Sequence, residues 1–105
     1  MQERRERMGE ELRKEELARD LLRELERRIK GGDRSELEEY LRQLDRLVES
    51  WPEGHTPRLL IERAVGGVRT RDPIRAGSDV SRSRSAIEGE ISTLRGVLSR
   101  ESFTE

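Results

Sequence analysis

The chain contains no cysteine. That absence excludes disulfides, zinc–thiolate sites and cysteine nucleophiles together, and it fits an intracellular protein, cytoplasmic or nuclear. Histidine is almost as scarce. His55 is the only one, and it lies in a Pro/Gly turn. General acid–base work there would need a pocket and an orienting carboxylate, so the expectation is an exposed turn residue and no catalytic site. Neither EF-hand spacing nor a phosphate-binding loop is present, so no metal and no cofactor are expected. Aromatic residues make up 3% and apolar residues 30% of the chain, below the usual globular share. Apolar runs stop at three residues, as in Leu59-Leu60-Ile61, too short for membrane insertion.

Charge is what the sequence has in excess. Arg, Lys, Asp and Glu make up 43% of 105 residues, 22 basic against 23 acidic, and only Lys14 and Lys30 among the basic ones are not arginine. A net charge of −1 excludes global steering toward nucleic acid, so any such contact must be local. A chain of this length is one domain at most, and with so few large apolar residues a monomer would bury a marginal core. Composition therefore points to self-association or to a protein partner's surface.

Periodicity gives the fold class: all-α. Met8, Leu12, Ala18, Leu21, Leu22, Leu25 and Ile29 recur at three- and four-residue steps, which predicts a long helix over 3–30. Glu10→Lys14, Glu15→Arg19, Glu24→Arg28 and Glu26→Lys30 are i,i+4 pairs with the acid first, each adding roughly 0.2–0.5 kcal/mol to an isolated helix. Gly31-Gly32 ends it. Ser35 with Glu38 reads as a capping box opening a second helix over 36–51, whose seam is Leu37, Tyr40, Leu41, Leu44, Leu47, Val48 and Trp51. The short Gly-Gly-Asp connection predicts an antiparallel hairpin of these two helices. Thr56 and Pro57 begin a short third helix that Gly66-Gly67 ends or kinks.

Residues 66–84 lack sustained periodicity and are rich in Gly, Ser and Arg, which predicts a flexible linker. A second capping box at Ser85-Ala86-Ile87-Glu88 predicts a C-terminal amphipathic helix over 85–101 with a tail at 102–105. Gly89 and Gly96 weaken it by about 1 kcal/mol each relative to Ala. The expected organisation is thus a helical unit over 1–65, the linker, and a weak last helix. Leu21, Leu22, Leu25, Ile29, Tyr40, Leu41, Leu44, Leu47 and Trp51 are expected to form the core of a helical-bundle homo-oligomer.

Function is sought in the charge that helical pairing leaves over. Arg58, Arg63, Arg69, Arg71, Arg75, Arg82 and Arg84 outnumber Glu62, Asp72 and Asp79. A flexible arginine-rich strand can follow a phosphate backbone, so Arg69, Arg71, Arg75, Arg82 and Arg84 are candidate RNA contacts. Arg19, Arg23, Arg27 and Lys30 form a rival face that a double-stranded-RNA binder would use. Ser83 and Ser85, flanked by arginine, are candidate phosphorylation sites; phosphate at Ser85 would sit favourably at a helix N-terminus. The leading expectation is a non-enzymatic self-associating regulatory adaptor with RNA contact. A purely structural coiled-coil-like assembly module and a helical duplex-RNA binder are the alternatives.

Overall fold

The computed structural model describes the backbone of residues 2–70 and 73–103 and the side chains of 6–70 and 75–100. Four helices run through it: α1 (Gln2–Gly31), α2 (Arg34–Glu49), α3 (Thr56–Thr70) and α4 (Pro73–Phe103). The described residues hold no strand, so the all-α class stands.

Local chemistry sets the first two turns. Gly32 adopts φ +75°, the left-handed conformation that stops α1. This leaves Asp33 extended, and its side chain accepts the Glu36 amide at 3.2 Å. The cap is therefore Asp33, with Glu36 at the third helical position, rather than the expected Ser35. Two capping boxes overlap in the sequence, and the one that directly follows the left-handed glycine prevails. At the other end of α2, Ser50 turns the chain and Gly54 takes φ +80°. The His55 amide donates to Pro52 O at 3.2 Å, and His55 O accepts from Leu59 at 3.0 Å, which places the α3 cap at His55 rather than Thr56.

The four helices run up, down, up and down. α1 packs along its length against α4, antiparallel: Arg23 pairs with Glu88 at 3.0 Å, Arg84 with Glu26 at 3.5 Å and Arg95 with Glu16 at 3.5 Å. The expected hairpin of 3–30 and 36–51 is thus not the organising unit, because α1 has a second long helix beside it. α2 touches α1 and α3, α3 touches α1 and α4, and α2 and α4 lie diagonally apart.

The expectation for 66–84 is corrected. Residues 66–70 complete α3, 73–84 open α4, and 71–72 lie outside the described residues. Ser85 stands inside α4 and caps nothing. A core-facing stripe does run through the segment: Ala76, Val80, Ser83, Ile87 and Ile91 are buried at steps of four, three, four and four. Two of its members are too small to register as apolar periodicity, yet small residues let helices approach closely. A Cβ added at Gly67 would come 3.0 Å from Asp79 Oδ2, so α3 meets α4 where the glycine makes room.

Ala18, Leu22 and Leu25 of α1, Tyr40, Leu41, Leu44 and Val48 of α2, Trp51 of the α2–α3 turn, Ile61, Ala64 and Val65 of α3, and Val80 and Ile87 of α4 form one cluster. Leu22, Leu25, Tyr40, Leu41, Leu44 and Trp51, expected to line an oligomer core, are buried within the single chain, and Leu21, Leu47 and Ile29 are half-buried. The physical reason is α4. Its unbroken length supplies the fourth wall that the sequence reading assigned to another copy.

α2 and α3 are half as long as α1 and α4. At 1.5 Å per residue the long pair spans about 45 Å, in keeping with the 51 Å long axis of the molecule. The α2–α3 turn reaches only the level of Glu11, where His55 lies against it. Beyond that level the start of α1 and the end of α4 continue as a two-helix projection.

Candidate functional site: an acidic collar where the bundle ends

The collar is built where α2 and α3 stop. On α1 the fully buried stripe runs Glu15, Ala18, Leu22, Leu25, so a carboxylate occupies a core position at 1% exposure. Opposite it stands Glu90 of α4, and one turn toward the N-terminus is Glu11. Burial, first of all, pushes the Glu15 carboxyl up to about 8; its hydrogen bond with Glu90 and the negative charges of Glu90 and Glu11 add to the effect. At neutral pH Glu15 therefore keeps its proton and donates it to Glu90. Its second oxygen, Oε2, is buried with no hydrogen-bond partner.

His55 closes one side of the collar. Its Nδ1 lies 3.4 Å from Glu11 Oε1, its ring meets Trp51 edge-on with centroids 6.2 Å apart, and its side chain is 12% exposed. The expected exposed turn residue is thus half-buried, with Nε2 shut away from solvent and unpartnered. The turn folds back on α1 because Arg58 donates to Trp51 O at 2.6 Å, holding the Trp51–His55 segment against the bundle.

On the α4 side the collar opens into a groove of 430 Å³ lined by Glu11, Glu15, Glu90, Gly89, Thr93 and Leu94, with Ala86 at its edge. Among the described residues no three His, Cys, Asp or Glu side chains are arranged to hold a metal ion. Sequence reasoning treated Glu15 as the acid of a pair with Arg19. In the structure Arg19 pairs with Asp20 at 3.1 Å instead. The signal was present in the spacing: Glu15 falls between Leu12 and Ala18 on the apolar stripe, where a paired surface acid would not.

The structure scatters the candidate RNA contacts. Arg69 is held by Asp45 of α2 at 2.7 Å and Arg84 by Glu26 of α1 at 3.5 Å. Arg75 and Arg82 share an exposed depression on α4 with Ser78 and Asp79, while Arg71 lies outside the described residues. They sit on helices, so the described ones do not form a flexible strand. On the rival face every cation meets a carboxylate: Arg19 with Asp20, Arg23 with Glu88, Arg27 with Glu24 at 2.7 Å and Lys30 with Glu26 at 3.6 Å. The hydrogen bond from Arg27 is the main reason the Glu24 carboxyl lies below its usual range.

Ser83, a candidate phosphorylation site, is 4% exposed and buried in the folded chain. Ser85 is exposed, but mid-helix it lacks the N-terminal dipole expected to favour its phosphate. Tyr40, expected in an oligomer core, donates to Leu21 O at 2.9 Å beneath the Arg28 guanidinium, and burial pushes its hydroxyl up to about 12. A second groove at the far end of the bundle, between Arg34, Leu37, Leu41, Arg42, Val68 and Arg69, has its Arg42 and Arg69 already paired to Glu39 and Asp45.

No protein-family model, no curated protein and no solved structure matches this chain. No described helix is long and apolar enough to cross a membrane.

Proposed function

We propose that the chain is a non-enzymatic helical assembly module that self-associates through its two-helix projection. The observation that carries this reading is a change of burial along one stripe. Where α2 and α3 cover the α1–α4 pair, its apolar residues are buried, as at Leu22, Leu25, Val80 and Ile87. At the collar and beyond it, Met8, Leu12, Val97 and Leu98 are only half-buried. A second projection laid antiparallel on this stripe supplies the two missing helices and continues four-helix packing past the collar. Such an interface is isologous, the commonest route to a dimer. The partner is a second copy of this chain. The RNA readings draw less support, since most of the candidate cations already face carboxylates within the fold.

Sedimentation equilibrium of the full chain tests this. The expected result is a dimer that Leu12→Asp or Leu98→Asp converts to a monomer with unchanged helicity by circular dichroism. A wild-type chain that stays monomeric at every concentration overturns it. Duplex RNA binding that weakens with salt and is lost in Arg75→Glu with Arg82→Glu would instead favour the adaptor with RNA contact.

A further inference from the structure

The α4 side of the collar has features that self-association does not use. Ala86, Gly89 and Thr93 form a strip of small residues along α4, and Cβ atoms added at Gly89 would meet nothing within 4 Å. This strip is the flat wall of the 430 Å³ groove, and Leu94 gives it an apolar end. Glu15 lines it from within the core, at 1% exposure and with Oε2 lacking any hydrogen-bond partner. Glu11 and Glu90 complete a set of three carboxyls, and no basic residue lines the groove. The set does not present three ligands to one metal ion. It surrounds a space suited to a larger, polyatomic cation whose charge is spread over several N–H donors.

We propose that this groove binds an organic cation, a guanidinium or ammonium group carried on an aliphatic stem. The stem lies along Ala86, Gly89 and Leu94, where a flat helix surface admits methylene groups. The charged tip points between Glu15, Glu11 and Glu90. A guanidinium forks to two carboxylate oxygens at once and satisfies the orphan Oε2 of Glu15, which otherwise bears the cost of an unmade hydrogen bond. In the empty groove a proton on Glu15 does the neutralising. Entry of the cation displaces it: the Glu15 carboxyl releases H⁺ to solvent and its carboxylate accepts the N–H donors. The groups facing Glu15 are Glu11 on its own helix and Glu90 on α4. His55 of the α2–α3 turn faces Glu11, and the Glu16–Arg95 pair stands on the adjoining face. Binding is therefore linked to pH: it tightens as pH rises toward about 8, where Glu15 gives up its proton unaided, and levels off above that. The site is complete within one chain and does not depend on the dimer.

Titration of the full chain with n-butylguanidinium, followed by amide NMR, tests the site. Saturable shifts are expected at Gly89, Thr93 and Leu94. The affinity should rise between about pH 6 and pH 8, by up to about tenfold per unit. Glu15→Gln and Glu90→Gln should each weaken binding at least about tenfold, a loss of roughly 1.4 kcal/mol. Glu38→Gln, at the far end of the bundle, should leave it unchanged. Shifts that never saturate, binding that survives Glu15→Gln, equal loss in Glu38→Gln, or affinity independent of pH would each overturn the proposal. Two further arms separate the sources of the cation. A capped helical peptide with a single arginine that binds tenfold tighter than n-butylguanidinium identifies a polypeptide side chain as the ligand; spermidine binding as tightly as the peptide identifies a free amine.

Discussion

The two halves of the α1–α4 pair make a controlled comparison. Both are antiparallel, amphipathic and rich in charge, and they belong to the same two helices. In the covered half, α2 and α3 close the stripe and residues such as Leu22 and Val80 reach 0% exposure. In the projecting half the same seam stays half-open at Leu12 and Leu98. Amphipathicity marks a face for burial, then, but the number of neighbouring helices determines how completely it is buried. At the boundary sits Glu15, shut away from water by the covered half and confronted by another acid instead of a base.

The largest effect should come from testing the covered half against the open one. Leu22→Ala removes a side chain at 0% exposure and should cost about 2–5 kcal/mol in urea unfolding. Leu98→Ala, half-buried on the projection, should cost about 1 kcal/mol or less in the monomer. Equal losses would show that the projection is packed as fully as the bundle.

The boundary itself comes next. Glu15 has a folded pKa near 8 against an unfolded value near 4.5, so the native state holds the extra proton between these limits. The stability it contributes is fully present below about pH 4.5 and is lost as pH rises through about 8. Wild-type stability should fall over that window by on the order of 2 kcal/mol, short of the full linkage because solvent and neighbours relax around an ionised Glu15. Glu15→Gln keeps the shape without the charge. It should flatten the curve and leave the variant the more stable of the two at pH 8. A wild-type profile that is flat or rises between pH 5 and 8 would refute the buried-acid assignment.

Glycine scanning sharpens the contrast on a smaller scale. Gly9 and Gly96, in the projecting half, have open space around an added Cβ, so Gly9→Ala and Gly96→Ala should each stabilise the helix by about 1 kcal/mol. Gly67→Ala, in the covered half, meets Asp79 at 3.0 Å and should gain little or lose stability. Melting temperatures of the three variants decide this. The smallest effect is expected at Arg23 and Glu88, an exposed pair whose double-mutant cycle should yield a coupling of about 0.5 kcal/mol or less.

How far the sequence could be read differed between the two ends of the chain. The seam of α1 and α2 was legible because Leu21, Leu25, Leu41 and Leu44 are large and regularly spaced. Their stop signals, Gly32 and Pro52, act within a few residues of where they stand. The cap moved by two residues because Asp33 offers the same chemistry as Ser35 at an equivalent spacing. The opening of α4 was not legible. Ala76 and Ser83 look like loop residues in a Gly- and Arg-rich context, and they are helical where α1 and α3 surround them. His55 looked exposed because nothing local shows that a Pro/Gly turn folds against a distant glutamate. The collar was half-legible: Glu15 stood out of place on an apolar stripe, but its partner Glu90 lies far along the chain.

The sequence by itself determined that this protein is helical, where its first two helices lie, and which of their faces turn inward. These follow from backbone propensity, periodicity and glycine conformation, all of which act over one or two turns. Tertiary structure alone decided that 73–84 continue as helix, that the core closes within one chain, and that Glu15 keeps a proton at neutral pH. Each of those depends on what a residue meets from another helix. Desolvation and like-charge repulsion are properties of that meeting, and no single stretch of sequence contains it.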